Sequence, residues 1–322
     1  MRAVWLAAVA VLVVTAAASP QVFSPIALYE RASPAVALVR TVQEDRQGTG
    51  SAFAISRDGL VLTAAHVVRG AERIWLEFEP NRRLVGRLVG YDARRDVALL
   101  RVEAAGLPFL RLADASTLHV GERVAVIGNP QGRPKVLTTG VVLDVGLTIP
   151  GLVPGIFIRV SAEVAPGSSG APVLNVRGEV VGLVVAIYAR PGAEGGLAVS
   201  SAAVAQVLPR LVAGARVDRA WIGILGTTVT PEVARERGLA VQRGVLVVEV
   251  FPDAPADRAG LRPDAANGLP GDVIVALDGR PVETMEDLLT LLAEREPGDR
   301  VRLRVVRLTR VMEVELVLGV RP

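Results

Sequence analysis

From Ala35 to Ile187 the sequence is cut into short apolar runs of β type, and this constrains the fold more than any other feature of the chain. The runs are Ala35–Val39, Ser51–Ile55, Leu60–Ala65, Ile74–Phe78, Leu84–Val89, Val97–Val102, Arg123–Ile127, Val136–Val145, Ile156–Val160, Pro172–Leu174 and Val180–Ile187. Gly, Asn and Pro punctuate them, and Arg57-Asp58-Gly59 between two of them is a hairpin signal. Gln43–Gly50 is polar and reads as a turn. Many short strands at such spacing point to an all-β barrel or a pair of packed sheets.

At Ser200 the pattern changes. Val204, Val207, Leu208, Leu211 and Val212 recur at helical spacing and predict a helix over Ser200–Ala213. Gly214–Arg219 reads as a linker, which makes 34–213 one domain and 220–320 another. The second unit carries strand signals near Ile222–Leu225, Gly244–Val250, Asp272–Leu277, Val301–Val306 and Arg310–Leu318. Thr284 and Asp287 open a helix over Met285–Glu294 in the manner of a capping box. With 322 residues the chain is long enough to bury two cores.

The N-terminus carries an address rather than a core element. Met1-Arg2 precedes an apolar run from Ala3 to Ala18. As a helix that run spans roughly 24 Å, short of a hydrocarbon core of ~30 Å. It ends in Ala16-Ala17-Ala18-Ser19, a small-residue pattern suited to signal peptidase. Residues 1–19 read as a cleaved secretory signal or as a retained anchor that contacts the membrane through 3–18. Either way the remainder lies outside the cytoplasm. Residues 20–33 read as a polar, proline-containing link.

Composition removes several chemistries. There is no cysteine, which excludes disulfides, thiol catalysis and thiolate metal sites. His66 and His119 are the only histidines, too few for a multi-histidine zinc site, and no metal or cofactor is expected. The net charge is +3, with Lys135 as the one lysine among 36 basic residues. No Lys/Arg run exceeds a pair, so the charge reads as a dispersed solvated surface and not as a nucleic-acid site.

What remains is a serine chemistry. Ala165-Pro166-Gly167-Ser168-Ser169-Gly170-Ala171-Pro172 sets a serine among small residues that let a substrate backbone approach. Alone, Gly-Ser-Ser-Gly belongs as readily to a flexible loop. His66 sits at the end of an apolar strand, within Leu62–Val68, where a neutral ring can take a proton from a serine. His119, in a turn before a strand, has nothing acidic or nucleophilic arranged around it in a telling way and reads as structural. Asp96 opens Asp96-Val97-Ala98-Leu99-Leu100 and suits the acid that orients a histidine. The order His66, Asp96, Ser169 is that of the chymotrypsin-like double barrel, whereas α/β-hydrolases run Ser, acid, His.

These motifs together, with Gly128-Asn129-Pro130, resemble the HtrA (high-temperature-requirement) family of serine proteases, and the second unit resembles their PDZ domain. The resemblance runs from about Pro34 to Val320. It implies a mostly β fold, a chymotrypsin-like double β-barrel followed by a small α+β PDZ domain. It makes Ser169 the nucleophile, His66 the base and Asp96 the orienting acid, with the N–H groups of Gly167 and Ser169 as oxyanion hole. Ser168 stands where the family usually has Asn, and Ala171 where it usually has Gly. Trp221-Ile222-Gly223-Ile224 resembles the carboxylate-binding loop of bacterial PDZ domains, with a peptide adding beside Ile224–Thr228. Leu288, Leu289 and Leu292 would line the facing wall, and Arg262–Leu269 looks like an inserted loop.

The activity implied is ATP-independent, cofactor-free endopeptidase cleavage of unfolded proteins outside the cytoplasm, tuned by peptide C-termini. The resemblance also implies a homotrimer, with Phe23 and Tyr29 as the aromatic candidates. The competing readings are a peptide-binding sensor with little proteolysis and a protease dedicated to one membrane-protein substrate.

Overall fold

The short runs pair with their neighbours in sequence, and two groups of six close on themselves. The computed structural model describes residues 23–321, except 45, 80–81, 115–117, 134, 189–192 and 265–268. The run at 3–18 lies outside the described residues, as does part of the proposed insertion at 262–269. Among the described residues no helix is long and apolar enough to cross a membrane.

The first element among the described residues is a helix, α1 (Pro25–Ala32), within the stretch read as a polar, proline-containing link. Ser24 caps it by accepting from the Ala27 N–H at 3.3 Å, and Pro25 takes the first turn, where its missing N–H costs nothing. Then follow β1 (Val36–Gln43), β2 (Arg46–Ala54), β3 (Leu60–Ala64), the single turn α2 (Ala65–Val68), β4 (Arg73–Glu79), β5 (Arg82–Asp92) and β6 (Val97–Val102). Their order is β5-β4-β1-β2-β3-β6, and β6 returns to pair with β5, which closes a barrel. The polar stretch 43–50 is the tip of the β1–β2 hairpin and not a turn throughout, with Gln43 opposite Arg46 and Thr41 opposite Gly48. Its outer residues are exposed, so no apolar alternation marks them in the sequence.

The second barrel is built from β7 (Arg123–Gly128), β8 (Val136–Leu147), β9 (Phe157–Val160), β10 (Pro172–Asn175), β11 (Val180–Tyr188) and β12 (Gly195–Ser200), closed in the order β10-β11-β12-β9-β8-β7. Phe53, Leu62 and Leu99 of the first barrel share one buried cluster with Ile127, Phe157, Leu174 and Leu183 of the second. Each such side chain contributes about 1.5–3 kcal/mol on burial, so the two barrels are held as one core. Helix α3 (Ser201–Val212) covers the junction with Val204, Val207 and Leu211.

Residues 214–219 do not form a free tether. Arg216–Val217 make β13, which runs parallel to the end of β5 opposite Tyr91 and Asp92. The second unit is a smaller fold of β14 (Ala220–Trp221), β15 (Ile224–Thr228), α4 (Pro231–Arg237), β16 (Val245–Val250), α5 (Pro255–Arg258), β17 (Val273–Leu277), β18 (Arg280–Pro281), α6 (Met285–Ala293), β19 (Arg300–Arg307), β20 (Arg310–Val317) and β21 (Gly319–Val320). Its main sheet runs β15-β16-β17-β19-β20, so β15 is an edge strand. Helix α6 starts on the Thr284–Asp287 capping box, with both reciprocal bonds formed.

Candidate active site

His66 sits in the single turn after β3, and Asp96 immediately before β6. Since β3 pairs with β6, with Ala64 opposite Val97, the two residues are brought side by side. His66 Nδ1 lies 2.6 Å from Asp96 Oδ2, and the His66 backbone N–H donates to Asp96 Oδ1 at 2.9 Å. With a carboxylate as acceptor, Nδ1 carries the proton and Nε2 is left as a base. The Asp96 side chain is 10% exposed and that of His66 49%, so the acid is screened while the ring meets the cleft. Asp96 has φ +58, a left-handed conformation that a short polar residue tolerates.

Ser169 arrives from the other barrel, just before β10. Its carbonyl accepts from the Ser51 N–H of β2 at 2.7 Å, which ties the serine loop to the strand beside β3. Ser169 Oγ donates to the Val185 carbonyl of β11 at 3.5 Å.

The loop around it is tightly specified. The Pro166 carbonyl accepts from the Gln131 N–H at 2.7 Å. The peptide bonds are trans, so the Gly167 N–H points the opposite way. The Ser168 carbonyl accepts from Ala171, which turns the Ser169 N–H in the same manner. Neither the Gly167 nor the Ser169 N–H has an acceptor among the described residues. Gly167 has φ +93, and a Cβ there would meet the Asn129 oxygen and the Gln131 nitrogen at 2.8 Å. The Ser168 hydroxyl accepts from the Ala165 N–H at 3.3 Å and closes the turn from inside. Ala171 is fully buried with its methyl facing Gly128, so its Cβ occupies room that a glycine on β7 leaves.

Two contributors escaped the sequence reading. Ser51 is fully buried, and its hydroxyl donates to the Gly167 carbonyl at 2.8 Å while accepting the Asn129 N–H at 2.9 Å. It thereby joins the serine loop to the Gly128-Asn129-Pro130 turn. Asp92, also fully buried, accepts from the N–H groups of Arg94 and Arg95 and shapes the turn that carries Asp96. Neither residue belongs to a motif, because each acts through contacts made only after the barrels close. His119 lies apart, exposed and paired with Glu122 at 3.1 Å.

In the second unit, a cavity of 260 Å³ lies between β15 and α6, floored by Leu288, Leu289 and Leu292. Trp221, Ile222 and Ile224 border it, while Gly223 turns the chain between them at φ +89. The N–H groups of Ile222 and Gly223 have no acceptor among the described residues. Leu288 and Leu292 also belong to the buried core, so one side of each packs inward. No cluster of His, Cys, Asp and Glu among the described residues could hold a metal ion.

Residues 50–183 match the family description of a trypsin-like peptidase domain, and 223–318 that of a PDZ domain. A probable periplasmic serine endoprotease, DegP-like, from Hahella chejuensis is 38% identical over 283 residues, 87% of this chain and 58% of that protein. A protein of the same description from Ectopseudomonas mendocina is 38% identical over 284 residues, again 87% and 58%. The chain thus spans less than two thirds of the length of these relatives. The solved HtrA-type protease AlgW with decapeptide is similar at a TM-score of 0.60 and 27% identity, over 93% of this chain and 99% of that one. AlgW with tripeptide is similar at a TM-score of 0.56 and 30% identity, over 93% and 98%.

Proposed function

The chain belongs to the HtrA-type serine proteases, and from that membership we propose that it is an ATP-independent serine endopeptidase acting outside the cytoplasm on unfolded or damaged proteins. The observation that carries the reading is the hydrogen-bonded His66–Asp96 pair, together with a serine tied through Ser51 to the strand next to β3, in a loop that leaves two N–H groups unbonded. In the proposed reaction His66 Nε2 takes the Ser169 proton as Oγ attacks the scissile carbonyl. Asp96 holds the Nδ1 proton and stabilises the imidazolium that forms. The Gly167 and Ser169 N–H groups receive the negative oxygen of the tetrahedral intermediate, an arrangement worth roughly 3–4 kcal/mol per donor. His66 then returns its proton to the leaving amine, and water repeats the sequence on the acyl-enzyme. No cofactor enters.

The PDZ domain supplies the second part of the proposal. β15 is an open sheet edge, and the groove beside α6 is apolar with free N–H groups at one end, which suits a peptide C-terminus added as a strand. Residues 34–213 and 220–320 would be the two working domains. The periplasmic names of the relatives and the apolar leader at 3–18 support the location. A homotrimer is the proposed assembly. Phe23 and Tyr29 both pack against the chain's own core, so the large exposed apolar side chain on α1 is Ile26, at 73%.

The test is digestion of β-casein by the wild type and Ser169→Ala. Cleavage by the wild type alone is expected. Equal cleavage by both would remove Ser169 from the chemistry, and cleavage by neither, with peptide binding retained, would favour a sensor.

A further inference from the structure

The groove of the PDZ domain is not lined by that domain alone. Its cavity also touches Arg94, Pro150 and Gly151 of the barrels. Arg94 stands two residues before Asp96, on the turn between β5 and β6. The Arg94 backbone is engaged on both sides. Asp92 accepts from the Arg94 N–H at 2.9 Å, and the Arg94 carbonyl accepts from Val153 at 3.3 Å, on the loop that carries Pro150 and Gly151. The Arg94 side chain is what lacks an account. Its Nε is buried and has no hydrogen-bond partner among the described residues.

The charge around the cavity is one-sided. Arg94, Arg219, Arg295 and Arg321 line it, and among the described residues no carboxylate does. Arg295 is already paired with Asp278 at 2.8 Å. Arg219 donates its Nε–H to the Ala93 carbonyl, and burial holds its guanidinium below the ordinary arginine value against the pull of Asp96. Arg219 precedes β14 and Arg321 follows β21, its pairing partner, so the two arginines stand together on the wall of a cavity that Ile222, with its open N–H, also lines. A partly desolvated site made only of donors is completed by an anion.

We propose that Arg94, from the barrel domain, binds the terminal carboxylate of a peptide seated in the PDZ groove, so that the ligand bridges both domains at the turn carrying Asp96. The inference rests on the reading of the groove as a site for peptide C-termini. The occupant is the end of a protein chain with a free α-carboxylate and an apolar last side chain lying on Leu288 and Leu292. At 260 Å³ the cavity is smaller than a drug-sized pocket and takes the last residue and part of the one before it. Binding then depends on a residue of the protease domain, and occupancy is felt two positions from the acid of the proposed triad.

The experiment uses two pools of fluorescein-labelled hexapeptides with an apolar last residue, identical except that one pool ends in a free acid and the other in an amide. Each is titrated by anisotropy against the full chain as wild type, Arg94→Gln and Arg94→Lys. The wild type is expected to prefer the acid. Arg94→Gln should weaken the acid pool by about tenfold, the scale of one charge-assisted bond, and leave the amide pool unchanged. Arg94→Lys should recover part of the loss. If Arg94→Gln weakens both pools equally or neither, the role of Arg94 is refuted while the wild-type acid preference still supports a C-terminal site. If the wild type binds neither pool, or both equally, the role of Arg94 and the reading of the groove fall together.

Discussion

Gly167→Ala is the substitution whose outcome the geometry states most sharply. The residue has φ +93, and an L side chain in that region costs roughly 1–2 kcal/mol. Its Cβ would also sit 2.8 Å from both the Asn129 oxygen and the Gln131 nitrogen, and both of those are backbone atoms that cannot swing aside. The least costly escape is rotation of the Pro166–Gly167 peptide. That breaks the 2.7 Å bond from Gln131 to the Pro166 carbonyl, a loss of about 1 kcal/mol, and turns the residue 167 N–H away from the place of the oxyanion. Removing one such donor lowers kcat by roughly 10²–10³. The assay is steady-state cleavage of a fluorogenic peptide, with kcat and KM separated and the melting temperature recorded. The account predicts a fall in kcat at nearly constant KM, with a small loss of stability. A variant within about threefold of wild-type kcat at unchanged melting temperature would refute the assignment of Gly167 to the hole.

Three further outcomes follow from the same geometry. Asp96→Asn keeps an acceptor for the His66 backbone N–H but reverses the proton preference at Nδ1; kcat should fall by roughly 10⁴ with KM little altered, as steady-state kinetics will show. Ser51→Ala strips a fully buried link between Gly167 and Asn129, and denaturant unfolding should show a loss of about 1–3 kcal/mol with kcat reduced as well. Asp272→Ala strips Arg307, whose guanidinium makes two 2.8 Å bonds to the fully buried carboxylate, of its counter-charge and leaves it the Gly260 carbonyl alone; the PDZ fold should lose roughly 3–5 kcal/mol, seen as faster limited proteolysis within 223–318.

The strands were legible where both faces are buried. Val97–Val102 runs as read because Val97, Ala98, Leu99 and Leu100 are all inside. β12 was missed because Gly195-Gly196 reads as a turn, yet a side chain at 196 would press on Val164 and Val160. Helix α4 was missed because Ala234 is its one buried residue, so its helical form rests on the Thr230 cap and Gly238 rather than on an apolar stripe. The order of His66, Asp96 and Ser169 could be read from the chain, since chain order is a sequence property. The positions of Ser51, Arg94 and Arg219 could not, since each depends on barrel closure or on how 216–217 returns to β5. The residues there read as a linker, but their pairing with Tyr91 and Asp92 comes from backbone bonds that no side-chain pattern announces.

The central claim is that Ser169 is the nucleophile, and covalent trapping tests it most directly. The full chain is treated with a fluorophosphonate probe, digested and mapped by mass spectrometry. The account predicts one adduct, on Ser169, that is lost in His66→Ala although the serine remains. Labelling of Ser168 or another serine, or equal labelling of Ser169 without His66, would contradict it.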